Sequence, residues 1–213
     1  MSEHKIIIDI LNLAEDCKAL DYLRILKQHN EASFNHSLRV ALFSYHIADN
    51  FLKGDALDAG LSGLLHDIGK IYISPAILDK EGPLLNYESF LIHSHPVQGE
   101  VVLRELGVND KIRIPALKHH RLSKKPYPSN TKILETDPVD FINVVSAADR
   151  GDVILFPRKY NGDNINIEGR VLDEFMGNKE FIRYILINKE KYTKEGLAIT
   201  NFCKDYIQTK RLS

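Results

Sequence analysis

The run Leu64-Leu65-His66-Asp67-Ile68-Gly69-Lys70 sets an imidazole beside a carboxylate at the end of an apolar stretch. Burial of an ionised aspartate is costly unless the charge is paired or binds a metal. A divalent cation removes that cost and uses both side chains, since imidazole nitrogen and carboxylate oxygen ligate such ions. A carboxylate can also bridge two of them. Other donors of the same kind recur along the chain. His36 shares a three-to-four-residue stripe with Val40, Phe43, Ile47 and Phe51. His95 precedes Pro96, His119 and His120 precede a proline-rich run, and Asp149 follows Ala147-Ala148 on a face carrying Ile142 and Val145. Singly, each has a structural reading: a core histidine, a capping residue, a carboxylate paired with arginine. Together, in this order, the seven predict a metal site, six donors and one carboxylate bridge that would hold two metals. His4, His29, His46 and His93 lack this context and read as surface or structural residues.

The elements that must position these donors are helical by periodicity. Apolar positions recur at helical spacing over 5–28, and a break follows near Asn30–Asn35. A stronger helix is expected over about Ser33–Leu52, and a third from about Asp55 to Ile68, stopped by Gly69. Residues 71–86, with Pro75, Gly82 and Pro83, read mainly as loop with short turns. Helices follow at about Asn86–His93, from His95 to near Gly107 with Pro96 in the first turn, and over 109–120, interrupted by Pro115. Residues 121–138 hold Pro126, Pro128 and Pro138 and form the longest structureless stretch. Val139–Phe156 is apolar and helical, Tyr160–Ile167 is a loop, and two helices end the chain at about Asn178–Lys189 and Thr193–Lys210. The expected fold is all-α: a helical bundle over 31–170, with an N-terminal helical extension at 1–30 and packing helices at 171–213.

Composition narrows the function classes. The chain has 213 residues, 44% hydrophobic and 27% charged, with a formal net charge of −1. No global basic field attracts nucleic acid or anionic lipid, so neither is an expected partner. Cys17 and Cys203 offer neither a disulfide framework nor a cysteine-based zinc site. A reduced, cytoplasmic setting is expected. The apolar run Ile6–Ile8 is too short for a signal peptide, and nowhere do about 18 apolar residues run together to span a membrane.

The order His36, His66-Asp67, His95, His119-His120, Asp149 resembles the HD phosphohydrolase superfamily. It is most similar to the HD-GYP family of cyclic-di-GMP phosphodiesterases. His36-Ser37-Leu38-Arg39-Val40 resembles that family's first ligand motif. His66-Asp67-Ile68-Gly69-Lys70, with Ile73 and the segment Pro75–Leu78, is similar to its central motif. Ser94-His95-Pro96 and Gly99 resemble the next, and Ala148-Asp149, with Asp152, Arg158 and Tyr160, keeps the spacing of the last. The likeness spans roughly residues 33–160. One segment departs from the family. Its paired histidines are followed by Glu-Arg and then Asp-Gly-x-Gly-Tyr-Pro. Here Arg121-Leu122-Ser123-Lys124-Lys125-Pro126-Tyr127-Pro128 keeps Tyr127 and Pro128, lacks the glycines and acidic residues, and is one residue shorter.

The resemblance implies one metal held by His36, His66, Asp67 and Asp149, and another held by Asp67, His95, His119 and His120. A hydroxide shared by the two cations would be the nucleophile, attacking phosphorus in line with the leaving ribose oxygen. Some relatives bind a third metal through a glutamate four residues before the first histidine. Ala32 stands there, with Glu31 one position off, so two ions are expected. Ligation by nitrogen and oxygen without sulfur fits iron or manganese, with zinc, nickel and cobalt still open. Lys70, one turn after His66, is expected to hold a phosphate oxygen, Arg158 to grip a phosphate through two donors, and Tyr127 to stack on a base. The implied activity is hydrolysis of a cyclic dinucleotide, cyclic-di-GMP first. Two alternatives stand beside it: a phosphohydrolase acting on another nucleotide or phosphoester, and a metal-bound signalling module with little turnover. The terminal helices are expected to support a homodimer, and the loop at 121–138 to bind a partner signalling protein.

Overall fold

A computed structural model describes residues 1–157 and 167–209. Among them the secondary structure is helical, apart from one isolated antiparallel bridge between Ser123 and Phe175. The apolar periodicity of 5–28 resolves into two helices, α1 (Glu3–Asp16) and α2 (Leu20–His29). The chain turns between them at Lys18, whose φ of 60° is left-handed. No glycine announces that turn, so the periodicity ran through it. Helix α3 (Glu31–Phe51) begins two residues earlier than its spacing suggested. Asn30 caps it, its side chain accepting from the Ser33 N–H at 2.8 Å. Phe51, the last member of the expected stripe, is 43% exposed.

Helix α3 is the axis of the bundle. Against it pack α2, α4 (Ala56–Leu65), α9 (Val139–Leu155) and α12 (Lys189–Thr209). Phe34, Leu38, Leu42 and Ile47 of α3 are fully buried in one continuous core with Leu64, Val144, Ile182 and Ile199. Each such side chain contributes roughly 2 kcal/mol of transfer free energy. The α3–α4 crossing is close because small residues face each other. A Cβ at Gly63 would lie 2.5 Å from Ser44 Oγ and 2.8 Å from the Val40 carbonyl oxygen. This contact sets the start of α3 beside the end of α4, which brings His36 next to His66.

Gly69 does not end a helix as its sequence position suggested. Helix α4 ends at Leu65, and Ile68–Tyr72 forms a 3-10 helix containing Gly69 and Lys70. A Cβ on Gly69 would collide with the carbonyl oxygen of His95 and the backbone nitrogen of Gly99. Glycine is required because this turn is pressed against the first turn of α7 (His95–Glu105). The segment expected as loop at 71–86 also holds a single helical turn, α5 (Pro75–Leu78), before α6 (Asn86–Ile92).

Helix α8 (Asp110–Lys118) runs through Pro115 without a break. The proline removes one N–H, yet the next turn re-forms, with His119 N–H donating to the Pro115 carbonyl at 2.8 Å. Residues 121–138 carry no helix but are tied to a helix unforeseen from the sequence, α10 (Ile167–Glu174). Lys124 N–H donates to Glu174 O at 3.0 Å and Met176 N–H to Leu122 O at 3.1 Å. Helix α11 (Lys179–Ile187) then packs on α9.

At the junction of α1, α3 and α12, Glu3, His46 and Glu195 meet. His46 Nε2 lies 2.8 Å from Glu3 Oε2, and Lys191 is 4.0 Å from Glu3 and 3.8 Å from Glu195. No helix among the described residues is long and apolar enough to cross a membrane.

Candidate metal centre

The seven donors come from five places in the chain and meet in one. His36 lies on the first turns of α3. His66 and Asp67 join α4 to the 3-10 helix. His95 opens α7, His119 and His120 follow α8, and Asp149 lies on α9. His36 Nε2 is 3.5 Å from Asp67 Oδ2 and 3.2 Å from Asp149 Oδ1. His66 Nε2 is 3.4 Å from Asp67 Oδ2, and His95 Nε2 is 3.1 Å from Asp67 Oδ1. His119 Nε2 is 3.4 Å from His95 Nε2 and 4.0 Å from Asp67 Oδ1. Donor atoms of His36, His66 and Asp67 form one group of metal-ligating size, and those of His95, His119 and His120 another. Asp67 lies between them.

The hydrogen bonds on the far side of each ring fix its tautomer. His66 Nδ1 faces the Gly63 carbonyl at 2.7 Å, and His95 Nδ1 faces the Ile92 carbonyl at 2.6 Å. His119 Nδ1 faces the Ala116 carbonyl at 3.0 Å. A carbonyl only accepts, so each Nδ1 carries the proton and each Nε2 presents a lone pair. These lone pairs point at one another and at the oxygens of Asp67. His66 Nε2 and Asp67 Oδ1 are buried with no hydrogen-bond partner among the protein groups. Buried polar atoms without partners are rare in folded proteins. Converging lone pairs and carboxylate oxygens make a cage that repels itself without a cation inside. The donor set therefore fits metal ions.

His36 is held differently. Its Nδ1 lies 2.6 Å from Asp152 Oδ2, one turn beyond Asp149 on α9. Arg39 grips the same carboxylate with Nε at 2.6 Å and a terminal nitrogen at 2.9 Å, and its guanidinium lies 4.2 Å from the Phe156 ring centroid. Such carboxylate–histidine pairs orient metal ligands and raise their basicity. Burial opposes charge on His36, but Asp152 and Asp149 overcome it and raise its pKa. Burial also opposes ionisation of Asp67, yet the His66 imidazole and the Lys70 ammonium beside it hold its carboxyl well below the usual range. Asp149 is likewise held low against burial, mainly by the His36 imidazole 3.2 Å away. His119 goes the other way: burial, then the neighbouring His66 and His95 imidazoles, push it down to about 3. Burial and His119 also hold His120 well below its ordinary value. Both rings stay neutral at physiological pH, the form that ligates metal.

Asp67, His95, His120 and Asp149 also line an open cleft of about 430 Å³, within the range of small-molecule sites. Lys70 lines it too, buried, with its ammonium on Asp67 Oδ2. Tyr127 reaches the cleft with its ring stacked on His120 at 4.2 Å and on His93 at 4.0 Å between centroids. His93, read from sequence as structural, thus belongs to the wall behind the ligands. Arg158 lies outside the described residues, as does Tyr160. The hydrogen bond from His36 to Asp152 was not foreseen. Its trace in the sequence is the place of Asp152 in the spacing of the last motif, three positions after Asp149. Arg150, which lines the same cleft, was missed as well.

The HD domain family matches residues 33–175. A cyclic di-GMP phosphodiesterase of Pseudomonas aeruginosa is 34% identical over 107 residues, 48% of this chain and 26% of the relative. A symmetrical bis(5'-nucleosyl)-tetraphosphatase of Staphylococcus aureus is 31% identical over 110 residues, 49% of this chain and 56% of the relative. The chain thus spans about a quarter of the one and just over half of the other. The crystal structure of the L. monocytogenes phosphodiesterase PgpH HD domain in complex with cyclic-di-AMP superposes with a TM-score of 0.51. It covers 88% of this chain and 96% of that one at 18% identity, a likeness of fold.

Proposed function

The chain belongs to the HD domain family, and on that footing we propose that it is a metal-dependent phosphodiesterase acting on a cyclic dinucleotide, cyclic-di-GMP first. The observation that carries this reading is the convergence of imidazole Nε2 lone pairs on the oxygens of Asp67 and Asp149 at the floor of an open cleft. His36, His66, Asp67 and Asp149 would hold one divalent ion, and Asp67, His95, His119 and His120 a second. Iron or manganese suits this nitrogen and oxygen set. When bound, such a pair supplies an activated water at neutral pH and neutralises charge on the phosphoryl oxygens.

The chain's own groups do the rest. Lys70 is held at the cleft by Asp67 and binds a phosphate oxygen, stabilising the negative charge that grows there. Asp152 and Arg39 fix the His36 ring. Tyr127 and His93 back the His120 ring, so Tyr127 acts through its stack as well as toward substrate. Similarity to a cyclic di-GMP phosphodiesterase supports the substrate class.

A second reading, hydrolysis of another nucleotide or phosphoester, draws on the altered run Arg121–Pro128 and on the tetraphosphatase relative. The test is turnover of cyclic-di-GMP, cyclic GMP-AMP and an aryl phosphodiester, with iron or manganese supplied under reducing conditions. Hydrolysis of cyclic-di-GMP is expected. Hydrolysis of the aryl ester alone would favour the second reading. No turnover with metals bound would leave a metal-stabilised signalling module. Asp67→Ala is expected to lose metal and activity together, and two-metal occupancy in that variant would refute the bridge.

A further inference from the structure

The cations of the cleft divide into two kinds. Lys70 is committed to Asp67, and Lys80 to Glu88 at 2.6 Å. Arg150 and Lys125 line the same cleft, and neither has an acidic partner among the described residues within ion-pair distance. The Arg150 Nε is buried and makes no hydrogen bond, and its guanidinium lies 5.5 Å from the centroid of the fully buried Phe175 ring. One carboxylate, Glu174, shares this wall. Arginine on an aromatic face keeps its in-plane donors available for two-pronged recognition of phosphate.

Position separates Arg150 from the metal donors. It follows Asp149 directly on α9, and successive helical residues point about 100° apart. A group bound by Arg150 is therefore displaced from one held at Asp149, although both lie in one cleft. Lys125 comes from the opposite part of the chain, the run after His120. That run is pinned beside Phe175 by the Ser123–Phe175 bridge. An ester with a single phosphate would be served by the metal donors and Lys70 alone.

We propose that Arg150 and Lys125 form a second anion site that takes a further phosphoryl group of the same substrate, so the enzyme selects nucleotides with at least two phosphates. This deepens the phosphodiesterase reading and rests on it. The second phosphate could be the other diester of a cyclic dinucleotide or part of a dinucleoside polyphosphate chain, since both present the same chemistry to a guanidinium.

The test compares the manganese-loaded wild type with Arg150→Gln, Arg150→Lys and Arg150→Gln/Lys125→Gln. The substrates are cyclic-di-GMP, diadenosine tetraphosphate and bis-p-nitrophenyl phosphate, which carries one phosphate. In Arg150→Gln, kcat/KM for a two-phosphate substrate is expected to fall about tenfold relative to that for the aryl ester, mainly through KM. The double variant should lose more, and Arg150→Lys should recover part. A relative loss confined to cyclic-di-GMP identifies a second diester, and one confined to the tetraphosphate identifies a polyphosphate chain. An equal loss on all three substrates, or none, overturns the proposal. If the wild type turns over none of them, the proposed activity fails, but the anion site is still decided. The same three compounds, then stable, are titrated by calorimetry. Two-phosphate affinity about tenfold weaker in Arg150→Gln sustains the site. Unchanged affinity, or no binding by the wild type, removes it.

Discussion

Asp152 accepts a 2.6 Å hydrogen bond from His36 Nδ1, with Arg39 holding the same carboxylate by two nitrogens. The pair sets the direction of His36 Nε2 toward Asp67 and Asp149. In Asp152→Asn the amide cannot accept from both His36 and Arg39 on each of its atoms, so the ring loses its anchor. Metal affinity is expected to fall about 10- to 100-fold with helix content retained. Competition against a chelator of known affinity measures this; unchanged affinity would show that the ring is positioned by packing alone.

Lys70 is buried with its ammonium on Asp67. Lys70→Ala is expected to keep its metals, because bound cations replace the ammonium as the counter-charge of Asp67. Turnover should drop about 100-fold, the scale of losing one preorganised donor to a phosphoryl oxygen. Metal content and kcat on the same preparation decide it. An unchanged rate would leave Lys70 as a structural counter-ion only.

Gly69 carries the closest backbone approach around the site, against His95 and Gly99. Gly69→Ala forces the 3-10 helix away from α7. A cost of about 3 kcal/mol is expected in urea unfolding, at the upper end of usual overpacking, together with weaker metal uptake, since Asp67 and His95 part. A change below about 0.5 kcal/mol, the scale of a neutral surface substitution, would mean the two elements are not in contact.

Glu195 supplies a pH test far from the metal donors. Burial, then the charge of Glu3, raises its pKa above the ordinary 4.5. The folded state thus binds this proton more tightly than the unfolded chain, and stability falls as pH rises from about 4.5 through the folded value. Glu195→Gln has no such loss. Its melting temperature should exceed that of the wild type by about 2 °C at pH 7, the gap closing as pH is lowered to about 4. A variant less stable at pH 7 would make Glu195 a net favourable partner of Lys191.

Ligand chemistry explains why the donors were legible. Few residue types bind divalent ions, and His36, His66-Asp67, His95, His119-His120 and Asp149 stand where apolar periodicity makes a charged or polar group conspicuous. The helices were legible for the same reason, through α3, α4 and α9. What periodicity lacks is information about partners far away in sequence. Gly69 reads as a helix stop until His95 is seen lying against it. Asp152 reads only as a member of a motif's spacing, with no partner, until His36 is found beside it. The turn at Lys18 is invisible because no glycine or proline stands between Ala14 and Leu20 to mark it. Helix α10 has Val171 as its buried residue, too little pattern to announce a helix.

The donors lie on α3, α7 and α9 and at the ends of α4 and α8, and so reach across most of the described chain. A cation pair seated among them would act as a rivet through five separate segments, binding only when all five are in register. By mass action it would favour the folded form in proportion to its affinity. Starvation for the metal would then do more than halt turnover. It would loosen the whole bundle and open it to proteases, so that the lifetime of the protein would follow the supply of its ion.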